Sequence, residues 1–344
     1  MKRLNYVDNL RAISIIGMVL CHMTIYLAPE TDPFDAWYFV GNHLMGDWPA
    51  ALFLVISGYM LGLKANKKAS YLVKRGIFIV AAGFFLSIVN SGPEGILECD
   101  ILIIIGVFQI LSIWIGRLKS KHIIIMIVLI SIAAVLLRHV FGYYDMWGGE
   151  RNLVNFQHVL IDPGDEYGGE YFDNAFRSLT LNGYFPLFPW LSFLLIGLLF
   201  GRRKEVFDKK LMVILGFICL LLSTVLISYG AYNRINDLIL SIFPLSISAE
   251  ILLVGLILLI FAANNIINGY SKILFTFSRS SLTVYTLQYL IISVLTYGFG
   301  FTLDCKYRLL FGTSILIILY ILLRMWSKYD LRFSLEDIMG RVCK

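Results

Sequence analysis

Asp8-Asn9-Leu10-Arg11-Ala12-Ile13-Ser14-Ile15-Ile16-Gly17-Met18-Val19-Leu20-Cys21-His22 is an apolar run that holds one arginine and one histidine. Read as a helix it turns 100° per residue, and eleven steps bring the direction back to within about 20° of the start. Arg11 and His22 therefore share a face. They stand about 16 Å apart along the axis, far enough to touch opposite ends of one long ligand. Ionisable residues inside a membrane helix are costly and usually face a bundle interior or a water-filled path, so both are site candidates. A plainer reading stands beside this one, with Arg11 as an anchor snorkelling to lipid phosphates and His22 as a satisfied interfacial residue.

The rest of the chain extends the apolar character of this segment. Of 344 residues, 58% are hydrophobic and 15% charged, and the mean hydropathy is +0.78. A soluble domain carries charge on about a quarter of its residues, so the composition excludes that class. The predicted fold is all-α, a polytopic transmembrane bundle of about ten helices forming one membrane domain over residues 1–344. The apolar stretches run at about 9–28, 48–63, 76–90, 101–116, 123–140, 185–200, 211–230, 246–263, 281–300 and 309–325. Those at 48–63 and 76–90 are short for a span and call for tilt, extension or shielding by neighbours.

Lysine and arginine in short loops stay on the cytoplasmic side. Lys2 and Arg3, the Lys64 to Arg75 cluster, Arg117 to Lys121, Arg202 to Lys210, Lys272 with Arg279, and the tail from Arg324 fall in alternate loops. The opposite loops hold most of the acids, among them Glu30, Asp47, Glu98, Asp145, Asp165 and Glu170. Both termini are therefore expected in the cytoplasm, as an even number of spans also requires. The net charge of +6 reads as topology and attraction to anionic lipid, not as a nucleic-acid surface. Met1 to His22 has the charged start and apolar core of a signal peptide without a good small-residue cleavage site after it, and reads as a retained anchor helix. The five cysteines show no metal spacing. Cys99 and Cys305 both fall on the outer side, where an oxidising compartment would let them pair.

Further candidates appear in order along the chain. His43 follows Trp37-Tyr38-Phe39-Val40-Gly41-Asn42 in the first outer loop, where a histidine titrates near neutrality or is solvated surface. Ser57, Gly58 and Gly62 offer a small-residue face for close helix contact or for a narrow ligand chain. Lys64, Lys67 and Lys68 suit lipid headgroups, or equally the polyphosphate end of a nucleotide such as coenzyme A. Asp100 opens the fourth apolar stretch, either as a helix cap or as a carboxylate that orients a catalytic histidine.

The outer loop at about 138–184 interleaves Tyr143, Trp147, Tyr167 and Tyr171 with acids, which suits a sugar ligand as well as lipid headgroups. Ser281, Tyr285 and Gln288 form a polar stripe at helical spacing. The tail at about 326–344 mixes Trp326, Leu331, Phe333, Leu335 and Ile338 with charges, as an interfacial amphipathic helix does.

Arg11 and His22, as Arg-x10-His, resemble the hallmark of the acyltransferase 3 membrane family. Closer still, Tyr6-Val7-Asp8-Asn9-Leu10-Arg11-Ala12, Phe53-Leu54-Val55-Ile56-Ser57-Gly58, Gly95-Ile96-Leu97, Tyr184-Phe185-Pro186-Leu187-Phe188-Pro189-Trp190, Ser281-Leu282-Thr283-Val284-Tyr285-Thr286-Leu287-Gln288 and Phe333-Ser334-Leu335-Glu336 resemble bacterial proteins of the heparan-α-glucosaminide N-acetyltransferase type. The likeness spans nearly the whole chain, and departs at Arg11-Ala12, where that group commonly has Arg-Gly. The resemblance implies a multi-pass acyltransferase of the plasma membrane, if bacterial. It would carry an acetyl group from cytosolic acetyl-coenzyme A to a glycan amine or hydroxyl on the far side. His22 is then base or nucleophile. His43 competes for that role, because the animal heparan enzymes carry their catalytic histidine after the first helix. Arg11, Lys64, Lys67 and Lys68 would meet the donor, Asp100 would orient the histidine, and Gln288 would be a polar contact. No metal or redox cofactor is implied, and self-association is left open.

A second class also fits a polytopic chain, namely a transporter or flippase that moves a polar lipid or sugar without covalent chemistry. Such proteins carry paired halves with matching broken helices, and no convincing internal duplication occurs in this sequence.

Overall fold

A computed structural model of the chain describes residues 4–29, 48–63, 67–92, 99–141, 176, 178–182, 184–202, 208–233, 235, 238, 245–263 and 269–344. Among them the regular elements are helices: α1 Asn5–Tyr26, α2 Trp48–Leu63, α3 Ala69–Ser91, α4 Ile101–Ile115, α5 Ser120–Phe141, α6 Leu187–Arg202, α7 Lys209–Asn233, α8 Ile247–Ala262, α9 Lys272–Arg279, α10 Ser281–Ser293, α11 Cys305–Trp326 and α12 Leu335–Val342. Every apolar stretch read from the sequence holds one of these helices. Five segments, Asn5–Tyr26, Ala69–Ser91, Ser120–Arg138, Lys209–Asn233 and Lys306–Tyr329, are long and apolar enough to cross a membrane.

These five do not share one environment. In α1 61% of the span is buried, against 28% or less in the other four, so α1 is a core helix. The outer faces of α5, α7 and α11 instead expose large apolar side chains, among them Leu129, Leu136, Phe217, Leu221, Leu310 and Ile317. Water would penalise such faces and lipid does not, which is consistent with an integral membrane protein.

The chain divides into two compact units, one of residues 1–56 with 260–344 and one of residues 57–259. In the second, the end of α2 lies against α6 at backbone contact. A Cβ on Gly58 would overlap the Leu194 carbonyl, and one on Gly201 would overlap that of Tyr59. Close packing is thus the use made of the small-residue face. The Gly58→Ala protein is expected to lose about 1–3 kcal/mol of stability, read as earlier thermal unfolding in detergent, because the clashing atom is backbone and cannot swing away.

Also in this unit, Glu250 of α8 accepts from Ser131 of α5 at 2.8 Å and from Ser192 of α6 at 2.6 Å, tying three helices at one buried carboxyl. Arg138, at about which the expected outer loop begins, lies inside α5, buried and donating to the Leu245 carbonyl at 3.0 Å. A buried arginine at a helix end looks in sequence like the start of a polar loop. Residues 142–175, most of that loop, lie outside the described residues, as do His43 and Lys64.

In the first unit α1 packs against α9, α10 and α11, and is held at both ends. Near its start, Asn9 Nδ2 donates to the Gly269 carbonyl at 2.7 Å and Ser278 Oγ donates to Asp8 Oδ1 at 3.0 Å. Near its end, the fully buried Arg308 donates to the Thr24 carbonyl at 2.6 Å, and the Leu303 amide donates to the Leu27 carbonyl at 2.9 Å. A guanidinium at a helix C-terminus meets both unsatisfied carbonyls and the negative end of the dipole. After α11 the backbone turns back, Leu331 is buried, and α12 is fastened to the first turn of α10 by Glu336.

Candidate functional site

His22 lies one turn from the end of α1, half-buried, and faces α10. Its Nδ1 is 2.9 Å from Gln288 Nε2, and its Nε2 is 3.5 Å from the Tyr289 hydroxyl. Three tyrosine rings surround it, with centroids at 4.9 Å for Tyr289, 5.9 Å for Tyr26 and 6.1 Å for Tyr285. The hydroxyls of Tyr285 and Tyr289 are 3.5 Å from each other.

Local sequence explains the arrangement. Tyr26 is one turn beyond His22 on α1, whereas Tyr285, Gln288 and Tyr289 recur at three- and four-residue steps on α10 and so form one stripe. Gln288 is fully buried and Tyr285 is 1% exposed, so this stripe faces inward.

The chemistry open to such a group is set by its hydrogen bonds. With Gln288 Nε2 donating to Nδ1, the imidazole carries its proton on Nε2. With the amide turned over, Gln288 Oε1 accepts from Nδ1–H and leaves an Nε2 lone pair facing the tyrosines. The second arrangement is that of a general base or nucleophile, its tautomer and ring orientation fixed by the partner on the other nitrogen. In the first arrangement the outward amide atom, Gln288 Oε1, has no hydrogen-bond partner among the described residues; in the second the outward atom is Nε2–H. A buried polar atom in that state costs about 1–3 kcal/mol, which is a reason to look for a substrate group that it would meet.

Of the other residues singled out from sequence, Arg11 is on α1, half-buried, eleven residues before His22 on an uninterrupted helix. Asp100 is the N-cap of α4, its Oδ1 accepting from the Leu102 amide at 2.8 Å. Lys67 and Lys68 are exposed ahead of α3, with Lys67 Nζ 5.1 Å from the centre of the Tyr71 ring. Cys99 is a free thiol that donates to the Phe185 carbonyl at 3.3 Å. Burial, with the Asp100 carboxylate beside it, pushes that thiol's pKa up and keeps it unreactive.

The structure thus brings His22 and Gln288 together. Tyr26 and Tyr289 had escaped the reading of the sequence, although each stands one turn from a polar residue of interest. A model of the heparan-alpha-glucosaminide N-acetyltransferase catalytic region matches residues 3–211. No curated protein and no solved structure matches. The matched region holds Arg11, both candidate histidines and Asp100, whereas Gln288 and its neighbouring tyrosines lie beyond it. Covering more than half of the chain, this match shows that the protein belongs to the heparan-alpha-glucosaminide N-acetyltransferase family, whose chemistry is acetyl transfer.

Proposed function

We propose that the protein moves the acetyl group of cytosolic acetyl-coenzyme A to an amine or hydroxyl of a glycan on the opposite side of the membrane, acting as one domain with His22 at the chemical centre. The observation that carries this reading is the His22–Gln288 pair, a polar contact set among tyrosines where an apolar bundle would otherwise bury leucine. The ten crossings read from the sequence would comprise the five long spans, the shorter apolar helices Trp48–Leu63, Ile101–Ile115, Leu187–Arg202 and Ile247–Ala262 shielded by neighbours, and α10 with the residues after it, an even number that returns both termini to the cytoplasm. In a bacterium that membrane is the plasma membrane.

The donor's chemistry matches the residues available. Its pantetheine arm is long and narrow and carries amide groups, whose carbonyls suit the Nε2–H that Gln288 turns outward when its Oε1 accepts from His22 Nδ1. Arg11 stands about 16 Å down the same helix face, and by the charge pattern Lys64, Lys67 and Lys68 share its side of the membrane, where the anionic nucleotide remains. In direct transfer His22 Nε2 takes the proton as the acceptor nitrogen or oxygen bonds to the acetyl carbon. The carbon–sulfur bond then breaks, and the thiolate leaves to be protonated. In two-step transfer the same nitrogen first holds the acetyl group itself. Asp100 is proposed to serve α4 as its N-cap.

The test is thiol release from acetyl-coenzyme A by the purified protein in detergent, with a panel of amino and neutral sugars. Release that needs a sugar is expected, with amino sugars favoured by the acidic outer loops. A donor that stays intact with every sugar and does not bind the protein would overturn the enzyme reading in favour of a transporter.

A further inference from the structure

Helix α10 starts without a cap of its own. Its N-cap residue, Ser280, is fully buried, and the side chain makes no capping bond and has no partner for its Oγ among the described residues. The first amides of a helix need acceptors, and here they come from far along the chain. Glu336 Oε1 accepts from the amides of Leu282 at 2.7 Å and Thr283 at 3.2 Å, and its Oε2 accepts from the Thr283 hydroxyl at 2.5 Å. The Leu335 amide donates back to Thr283 Oγ1 at 3.0 Å. A carboxylate at this end also meets the positive pole of the helix dipole.

The segment that delivers Glu336 is closely constrained. Asp330, Leu331 and Phe333 all have positive φ, at 56°, 53° and 63°, in a turn containing no glycine. Left-handed conformations in such residues cost free energy and persist only when the surroundings impose them. Two bonds fix the start of α12: Ser334 Oγ accepts from the Asp337 amide at 3.2 Å, and Asp337 Oδ2 accepts from the Phe333 amide at 2.9 Å. This reciprocal cap turns Glu336 toward α10. The Phe333 amide and the Arg341 guanidinium keep the Asp337 carboxyl below the usual range, so the cap stays ionised.

We propose that Glu336 is a positioning residue for the acetyl-transfer site: through the first turn of α10 it sets where Gln288, Tyr285 and Tyr289 meet His22. Thr283 and Gln288 are five residues apart on one helix, about 7.5 Å, so a rotation or slip at the cap is transmitted to the imidazole. This rests on the acetyl-transfer reading above. Glu336 touches no reacting atom, and its effect belongs in kcat and not in donor binding.

The experiment uses the full-length protein, compares wild type with Glu336→Ala, Gln288→Ala and the double variant, and follows both thiol release and the 15N signals of labelled histidine. Glu336→Ala is expected to lower kcat about tenfold with the KM for acetyl-coenzyme A within about twofold, because small misplacements near a reacting centre are expensive. The double variant is expected to be no slower than Gln288→Ala, since both changes break the same contact. The His22 Nδ1 resonance, identified by its loss in His22→Ala, is expected to move in Glu336→Ala in the same direction as in Gln288→Ala.

Unchanged kcat, or losses that multiply in the double variant, would overturn the proposal. So would a lower donor KM in Glu336→Ala, which would make the carboxylate a competitor for an anionic ligand at the helix end. If wild type releases no thiol with any sugar, whether or not it binds the donor, the His22 resonance alone decides. Movement in Glu336→Ala keeps the positioning role, and a stationary signal ends it.

Discussion

Replacing His22 with alanine is expected to lower sugar-dependent acetyl transfer by on the order of 100- to 10,000-fold, the range over which a positioned acid–base group acts. The loss should fall on kcat, with acetyl-coenzyme A still bound through its nucleotide and pantetheine. Folding should survive, because His22 is half-buried and α1 is fastened at both ends by Asp8, Asn9, Thr24 and Leu27 rather than by its imidazole. The same change at His43, outside the described residues, is expected to leave turnover within about threefold of wild type if only one histidine acts. A reversal of the two effects would move the centre of chemistry to the first outer loop.

Gln288→Leu is expected to lower kcat by on the order of 100-fold while leaving thermal stability unchanged or higher. Glutamine gives His22 Nδ1 its partner at 2.9 Å, and leucine of similar size gives none, so the imidazole loses its fixed tautomer and orientation. Stability moves the other way because one end of the buried amide is already unpaired, and removing it removes a desolvated polar atom. A merely structural hydrogen bond would show the opposite pattern, with stability falling and rate following it. Thermal unfolding and initial rates on one preparation separate the two.

Much of the helical framework was legible in the sequence because lipid allows a long apolar run few alternatives to helix. Arg11 and His22 gave themselves away as ionisable residues in α1, and Gln288 as part of a stripe with Tyr285. The breaks between helices were harder to read. The apolar run at 281–300 is preceded by the separate helix α9, and a single residue, Ser280, divides it from α10. Serine there is compatible with a continuous helix, a cap or a turn, and the deciding contact is made by Glu336, more than fifty residues later. The same holds of the tail, whose alternation of aromatic and charged residues fits an interfacial helix and does not by itself show that Leu331 is buried or that Glu336 meets α10. Tyr26 and Tyr289 were lost among a total of 19 tyrosines, most of which suit a membrane interface equally well.

The most direct test of acetyl transfer through His22 is made in sealed proteoliposomes, with acetyl-coenzyme A added outside and glucosamine trapped within. Acetylated sugar is expected to accumulate inside with wild-type protein and not with the His22→Ala protein, when the two preparations are matched for protein content. Product made equally by both proteins, or made only when donor and acceptor share one side of the membrane, would contradict the account.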